Sequence, residues 1–413
     1  MQNEYIIKRE VYKVRTKELK TRNERGVTLI ALVVTIIVLL ILAGVSIATL
    51  TGQNGLIAKA KQASLNTEEA QAREESDLDY IGDYIDRIAN ENKGLDTVTG
   101  DETKNSTVYD KFGNKVVVPA GFKIINPEDD VTKGIIIEDV SAGNTISKGN
   151  QFVWIPIGNI YLDIKNTDED RTKIILGRYE FNSTQGEHYG EATLIQPAEE
   201  WSDNSDKVLI DPCYKELENS SYGNVSSKSL ENFISKALKS GGYYVGRYES
   251  GDGEATETER TSQTSDSNQM VSKERVYPYT WITQSIASNL SQKMYNTDNF
   301  ESDLINSYAW DTAMVFIQKF SGDKAYSMQS SAYDKVVGCG EIHSEGKSDV
   351  KCNIYDMAGN TREWSTETSS HLEYQYPCVG RGGTWQGDYA GLRYSLATNV
   401  SSGDISARPV LYL

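Results

Sequence analysis

The residues best suited to chemistry lie near the C-terminus, in a loop where acidic side chains flank a glycine turn. In Asn353–Ser365 (NIYDMAGNTREWS), Asp356 and Glu363 stand seven residues apart around Gly359. Carboxylates and carbonyl oxygens that wrap one loop are the ligands that a hard cation such as Ca²⁺ prefers. The spacing therefore indicates a candidate calcium loop. The alternative is that Glu363 accepts backbone N–H bonds within the turn.

Two segments that follow combine glycine turns with aromatic side chains. They are Arg381–Trp385 (RGGTW) and Ala407–Leu413 (ARPVLYL). Gly382 and Gly383 suit a tight turn that needs a positive φ or a close approach of the backbone. A tryptophan beneath such turns buries a large area and holds loops that lack regular hydrogen-bond ladders. We therefore expect irregular loops packed on buried aromatic rings.

Together with Phe152–Pro156 (FVWIP) upstream, these segments resemble the formylglycine-generating-enzyme, or sulfatase-modifying-factor, domain. The resemblance covers residues 115–413, densely near the C-terminus and loosely before it. It implies an α+β, C-type-lectin-like fold with a small twisted sheet, two helices and much irregular loop. It also implies a structural Ca²⁺ ion, because calcium-binding members of that family place their ligands at positions that match Asp356, Gly359, Thr361 and Glu363.

The catalytic groups of that family are missing from the matching positions. Formylglycine-generating enzymes bind copper through two cysteines shortly after the glycine pair, but residues 384–393 hold no thiol, and Cys378 precedes the pair. A Cu(I) site needs such soft ligands. The iron-dependent relatives use clustered histidines, whereas those of this chain are scattered, at His188, His343 and His371. We therefore expect no copper, no iron and a non-catalytic domain, and we disfavour the alternative of a formylglycine-generating-type oxidase.

The segment between the glycine pair and the last strand is the predicted ligand-binding surface. In the lectin-like fold that the resemblance implies, this segment is exposed, and it resembles the diversified ligand face of variable proteins that diversity-generating retroelements encode. Aromatic, Asn, Ser and Asp side chains on a rigid scaffold suit recognition of an extracellular protein or glycan. The alternative is that they only solvate a loop. The predicted contacts are Trp385, Asp388, Tyr389, Arg393, Tyr394, Asn399, Ser401 and Ser402.

The N-terminal end of the chain predicts how this domain is attached to the cell. Residues 27–50 carry no charged side chain. A helix of that length rises about 36 Å, enough to cross a hydrocarbon core of about 30 Å. Residues 1–26 hold eight Lys/Arg against four Glu, which keeps this leader cytoplasmic by the positive-inside rule. We therefore expect a single-pass anchor in the lipid bilayer, with the C-terminal domain on the cell surface.

The junction between leader and apolar run resembles the class III prepilin signal of type IV pilins and type II secretion pseudopilins. The resemblance covers residues 20–55 and rests on the basic leader, Gly26, the T-L-I that follows and the uncharged helix. It implies cleavage by a prepilin peptidase between Gly26 and Val27 and methylation of the new N-terminus. Pilins that polymerise usually carry Glu at the fifth mature position, where this chain has Ala31. The alternatives are a minor pilin or tip adhesin, with other pilins as partners, and an ordinary uncleaved anchor.

Patterning divides the chain into five parts. We predict a leader (1–26), a transmembrane helix (27–50), a helical stalk (51–92), a polar linker (93–113) and the C-terminal domain (114–413). Within that domain, residues 151–157 form a strand pattern, and apolar spacing predicts helices over residues 229–240 and 308–320. Residues 250–275 are almost devoid of apolar side chains and are expected to be a long mobile loop.

Charge and cysteine content narrow the range of partners. The formal net charge is −17, and a leader of +4 leaves −21 for the remainder. So acidic a surface repels phosphates, which argues against nucleic acid as a partner. The four cysteines lack C-x-x-C spacing, which argues against zinc. They allow three pairings, among which the sequence does not choose: Cys213, Cys339, Cys352 and Cys378.

Overall fold

The computed structural model describes residues 94–141, 145–163, 171–195, 201–203, 206–209, 230–254, 259–262, 268–331, 349–369 and 378–413. All of them belong to one structural unit, Glu75–Leu413. The predicted leader, transmembrane helix and helical stalk lie outside the described residues. Within the described ranges, no helix has the length and apolar character needed to span a bilayer.

The described part of the chain holds three helices, and the apolar spacing predicts the first and the third of them. They are α1 (Leu230–Ser240), α2 (Gln284–Met294) and α3 (Ser307–Phe320). Asn306 caps α3, because its side chain accepts the N–H of Ala309 at 2.9 Å and so satisfies a donor that the first turn leaves open. Short 3₁₀ turns lie at Leu95–Thr97, Val131–Lys133 and Tyr326–Met328.

The strands are short, and most pair with antiparallel neighbours. In chain order they are β1 (Ser106–Tyr109), β2 (Lys115–Val118), β3 (Phe122–Ile124), β4 (Ile136–Asp139), β5 (Gln151–Pro156), β6 (Gly158–Tyr161), β7 (Arg171–Ile174), β8 (Arg178–Phe181), β9 (Ala192–Ile195), β10 (Trp201–Asp203), β11 (Asp206–Leu209), β12 (Gly242–Gly246), β13 (Gly251–Asp252), β14 (Met270–Val271), β15 (Glu301–Leu304), β16 (Val350–Lys351), β17 (Ile354–Tyr355), β18 (Arg362–Ser369), β19 (Cys378–Arg381), β20 (Arg393–Leu396), β21 (Ile405–Ala407) and β22 (Pro409–Tyr412).

Two larger sheets organise the domain. The first is antiparallel, in the order β15-β22-β12-β5-β4-β3. The second runs β10-β11-β18-β19-β20, and β21 joins it in parallel beside β18. The remaining pairs are two-stranded: β1-β2, β6-β7, β8-β9, β13-β14 and β16-β17. The described part of the chain is thus α+β with mostly antiparallel sheets, as predicted.

Aromatic rings form a large part of the core that packs against the first sheet. Trp154 on β5 contacts Tyr244 on β12, with ring centroids 4.9 Å apart. From α1, Phe233 reaches Tyr243 at 5.2 Å and Tyr412 at 5.3 Å. Rings of this size contribute roughly 2–3 kcal/mol each when fully buried. They compensate for the small number of regular hydrogen-bond ladders that such short strands provide.

Part of the predicted linker is folded into the domain, which corrects the boundary at residue 114. Leu95 is buried in the core, and β1 pairs with β2 so that Ser106 lies opposite Val118. Asn105 Nδ2 also donates to the carbonyl of Asn299 at 2.7 Å. The polar composition concealed this packing, because only isolated apolar residues of the segment face the core.

Candidate ligand-binding site

The predicted ligand-binding segment lies at an end strand of the second sheet. β20 pairs with β19, so that Arg381 stands opposite Arg393 and Gly380 opposite Tyr394. Successive side chains of a strand point to opposite faces. Arg393 is therefore directed into the domain, whereas Tyr394 is 47% exposed.

Most of the predicted contacts are accessible, and one is not. The exposed residues are Asp388, Tyr394 and Asn399, and the half-buried ones are Trp385, Tyr389, Ser401 and Ser402. Arg393 is a correction to the sequence prediction. Its guanidinium is buried and ion-paired, so it supports the surface from beneath and does not form part of it.

A buried ion network lies beneath the exposed face. Arg393 donates to Asp311 on α3 at 2.5 Å and to Glu367 on β18 at 2.6 Å. Arg381 on β19 donates to Asp311 at 2.6 Å and also to Glu367. Both arginines thus bridge the same two carboxylates. Arg178 on β8 approaches Glu367 at 3.8 Å. The network joins strands of two sheets to a helix, so it fixes the base on which β20 rests.

The charges of this network determine the ionisation of Glu367. Burial alone would raise the pKa of Glu367, but Arg381, Arg393 and Arg178 outweigh burial and lower the pKa to about 2. The carboxylate therefore stays ionised at neutral pH. Removal of one partner from a fully buried ion pair strongly destabilises the folded state, because the other charge is then buried without compensation.

Glycine turns and one indole hold the loop that precedes β20. Gly382 has φ +81°, and a Cβ there would stand 2.9 Å from the carbonyl oxygen of Met357 and 3.2 Å from the Trp310 ring. Trp310 on α3 is fully buried, and its Nε1 donates to the carbonyl of Ala390 at 3.0 Å. The Gly-Gly turn therefore lets the loop lie directly on α3, and the ring beneath it is Trp310 rather than the half-buried Trp385 of the same motif.

The exposed ring of Tyr394 stacks on a guanidinium that the sequence did not single out. Arg362 on β18 places its Cζ 4.3 Å from the Tyr394 ring centroid and donates to Asp388 at 2.5 Å. It reaches them across Gly380 of β19, where a Cβ would stand 2.5 Å from the Arg362 Cδ. Because Arg362 and Tyr394 meet across three strands, no local pattern in the sequence could indicate this contact.

The predicted calcium positions lie together in a buried acidic cluster. Asp356 and Glu363 are 2% and 1% exposed. Glu363 accepts bonds from the Arg408 guanidinium, whose Nε lies 3.0 and 2.9 Å from its two oxygens. Thr361 Oγ1 donates to Glu249 at 2.5 Å. Burial, together with Asp356 and Glu363, raises the pKa of Glu249 well above its usual value.

One of the predicted calcium ligands already has a cationic partner. The cation that faces the Glu363 carboxylate is Arg408. Among the described residues no group of three or more His, Cys, Asp or Glu side chains could hold a metal ion. Ca²⁺ binding by Asp356, Gly359, Thr361 and Glu363 stays a prediction, and the geometry of Glu363 does not support it.

The described cysteines are not arranged for chemistry. Neither Cys352 nor Cys378 forms a disulfide. Burial raises the pKa of each thiol to about 12, so both are protonated at neutral pH and are poor nucleophiles and metal ligands. Cys213 and Cys339 lie outside the described residues, as do His343 and His371.

No protein-family model and no curated protein matches the sequence. Among solved structures, the chain is similar to Treponema denticola variable protein 1 (12% identity, 65% of this chain and 98% of that chain covered, TM-score 0.31). It is also similar to PvdO from Pseudomonas aeruginosa (10%, 64% and 95%, TM-score 0.31) and to CarF (14%, 42% and 87%, TM-score 0.28). TM-scores of this size do not assign the chain to a family.

Proposed function

We propose that this chain is a membrane-anchored, surface-displayed protein whose C-terminal domain binds an extracellular ligand without catalysing a reaction. The observation that carries the proposal is the separation of exposed and buried side chains at β20. Tyr394 is exposed beside the buried, ion-paired Arg393 of the same strand, and Asp388 and Asn399 are exposed before and after that strand in the sequence. Adaptable side chains on a rigid base are typical of recognition surfaces.

The chemistry of the described thiols supports a non-catalytic role. An oxidase of the formylglycine-generating type needs soft thiolate ligands near the glycine pair. The thiol nearest in sequence, Cys378, is buried and protonated. The proposal therefore includes neither copper nor iron.

A binding screen tests the proposal directly. The full-length chain, solubilised in detergent, is applied to an array of glycans and extracellular proteins. We expect Tyr394→Ala and Asn399→Ala to weaken binding of any captured ligand without lowering the melting temperature. Leu162→Ala is a matched control, because Leu162 is similarly exposed, at 42%, but lies outside the predicted face. Equal binding by all three variants would contradict the proposed location of the site.

The anchor and its processing are a separate part of the proposal. The uncharged run 27–50 and the basic leader support surface display, and Gly26 supports cleavage by a prepilin peptidase. Protease treatment of intact cells is expected to degrade the C-terminal domain. A substitution of Gly26 is expected to leave a larger, uncleaved product. Protection of the domain, or its recovery in the cytosol, would contradict the orientation.

A minor pilin or tip adhesin is the second candidate, favoured by the prepilin-like signal. Ala31 counts against filament assembly, because a carboxylate at that position pairs with a neighbouring N-terminus in polymerising pilins. Co-purification with pilus components would favour assembly, whereas display as an isolated protein would favour the first proposal.

A further inference from the structure

Aromatic and cationic side chains share one face of the second sheet at the predicted ligand surface. Trp364 on β18 lies opposite Gly380 on β19, which lies opposite Tyr394 on β20. Arg362 stands two residues before Trp364, so it points to the same face. The short contact that a Cβ on Gly380 would make with Arg362 agrees with this placement.

Trp281 belongs to the same surface, although the sequence did not single it out. Trp364 Nε1 donates to the carbonyl of Ile282 at 2.9 Å, so the segment that carries Trp281 covers this face. The Trp281 N–H donates to the carbonyl of Ser402 at 2.9 Å. Its indole lies beside Gly403, where a Cβ would stand 3.3 Å from Nε1. Trp281 thus contacts the 399–403 part of the predicted ligand surface.

The backbone of Trp281 is unusual for a bulky residue. Its φ is +60°, in the left-handed region that favours glycine. Such conformations cost about 1–3 kcal/mol and concentrate at functional sites. Because the side chain is only half-buried, burial of its apolar surface does not by itself explain a tryptophan at this strained position. The strain points to a use for the indole outside folding.

In the ion pair that Arg362 and Asp388 form at this surface, the acidic partner is the more exposed one. Residues 385–406 hold three charged residues, Asp388, Arg393 and Asp404. Arg393 is buried in the ion network, and the Asp388 side chain remains 43% exposed although it pairs with Arg362. Aromatic rings attract cations to their faces. Acidic and aromatic groups together complement a cationic ligand.

We propose that Trp281 and Tyr394 are the principal ligand-contacting aromatic residues of this face, and that the ligand is a protein segment rich in Lys and Arg. Arg362 is a positioning residue, because it stacks on Tyr394 and holds Asp388 beside the ring. The inference deepens the proposed function and depends on it. Trp, Tyr and Arg are the residue types that dominate binding energy at interfaces.

A peptide array tests the class of ligand. Equal-length peptides are compared in which Lys and Arg are replaced stepwise by Asp and Glu, with the full-length chain in detergent as the probe. We expect binding to increase with positive charge and to weaken as salt is raised, because screening reduces the attraction. Equal binding of acidic and basic peptides, or preferential binding of a neutral glycan, would overturn the assignment.

Variants of Trp281 separate binding from folding. Trp281→Gly relieves the positive φ, so we expect the melting temperature to be unchanged or raised while affinity for the best basic peptide falls at least about tenfold. Trp281→Phe keeps an aromatic ring and is expected to retain most of the affinity. Unchanged affinity in Trp281→Gly would overturn the role of Trp281.

Variants of Arg362 test its positioning role. Arg362→Lys keeps the charge that faces Asp388 but loses the planar stack on Tyr394. We expect its affinity for the same peptide to fall to near that of Tyr394→Ala, whereas Leu162→Ala binds like the unmodified chain. A wild-type affinity in Arg362→Lys would overturn the positioning role. If the unmodified chain captures no peptide, protein or glycan at all, the proposed function itself fails.

Discussion

Arg393 and Tyr394 are adjacent in sequence and have opposite roles. Both fall in the segment predicted to contact ligand, and the alternation of a strand directs only Tyr394 to the surface. The ion-pair partner Asp311 is 82 residues from Arg393 in sequence. The composition of the segment therefore predicted a polar surface, but it could not predict that its one arginine, Arg393, belongs to the core.

Removal of the Arg393 guanidinium should destabilise the domain. Arg393→Met leaves two buried carboxylates with one fewer cationic partner, and breaking a buried pair in this way costs about 3–5 kcal/mol. Denaturant unfolding followed by far-ultraviolet circular dichroism measures the loss. Asn399→Ala, at an exposed position of the same segment, is the control and should change the free energy of unfolding by less than about 0.5 kcal/mol.

Acid should remove the contribution of Glu367. Its pKa is about 2 in the folded chain against an ordinary value of 4.5, so ionised Glu367 stabilises the folded state above pH 4.5, and this contribution is lost as pH falls towards 2. The difference in unfolding free energy between the unmodified chain and Glu367→Gln should shrink over that interval. Denaturant unfolding at a series of pH values measures this difference.

At the scale of elements, segments with a clear apolar period were predicted correctly as helices or strands. Strands of only two residues were not predicted. Helices expected over 229–240 and 308–320 are α1 and α3, and the strand expected over 151–157 is β5. The expected mobile loop 250–275 contains β13 and β14, which are buried. Two-residue strands are too short to show a period, and β13 is held by side-chain contacts within the segment, such as the 2.9 Å bond from Arg260 to Asp252.

The Gly-Gly turn makes a prediction about one element. Gly382→Ala adds both positive-φ strain and a clash with the Met357 carbonyl, and should destabilise the domain by about 1–3 kcal/mol. Gly322→Ala is the matched control, since Gly322 has φ +80° but a Cβ on it would meet nothing within 4 Å. Thermal unfolding should show the larger loss for Gly382→Ala. Equal losses of stability in the two variants would mean that the clash with the Met357 carbonyl adds nothing to the cost of Gly382→Ala.

At the scale of the whole molecule, the fold class could be predicted from the sequence. The partners of the buried charged side chains could not. The family resemblance of the C-terminal motifs implied an α+β domain, and the described residues are α+β with mostly antiparallel sheets. The partner of Glu363 is Arg408, 45 residues away in sequence and on the opposite side of the predicted ligand segment. A local calcium motif cannot show that a distant arginine supplies the positive charge.

Removal of divalent cations tests that conclusion on the intact protein. Because Arg408 pairs with Glu363, we expect the melting temperature to be the same in excess chelator and in excess Ca²⁺. A structural ion would instead stabilise the folded state in proportion to the logarithm of its concentration. A calcium-dependent rise in melting temperature would restore the family-based prediction for Asp356, Gly359, Thr361 and Glu363.

One side of β20 is buried and the other is open to solvent, and this difference determines which amino-acid substitutions the domain can accept. Substitutions at Asp388, Tyr394 or Asn399 leave the salt-bridged layer beneath them untouched. Under the proposed function, substitutions at these positions can therefore change ligand specificity while the buried ion pairs stay intact. The same property makes the domain a scaffold for combinatorial libraries, in which randomised surface codons yield folded clones at high frequency.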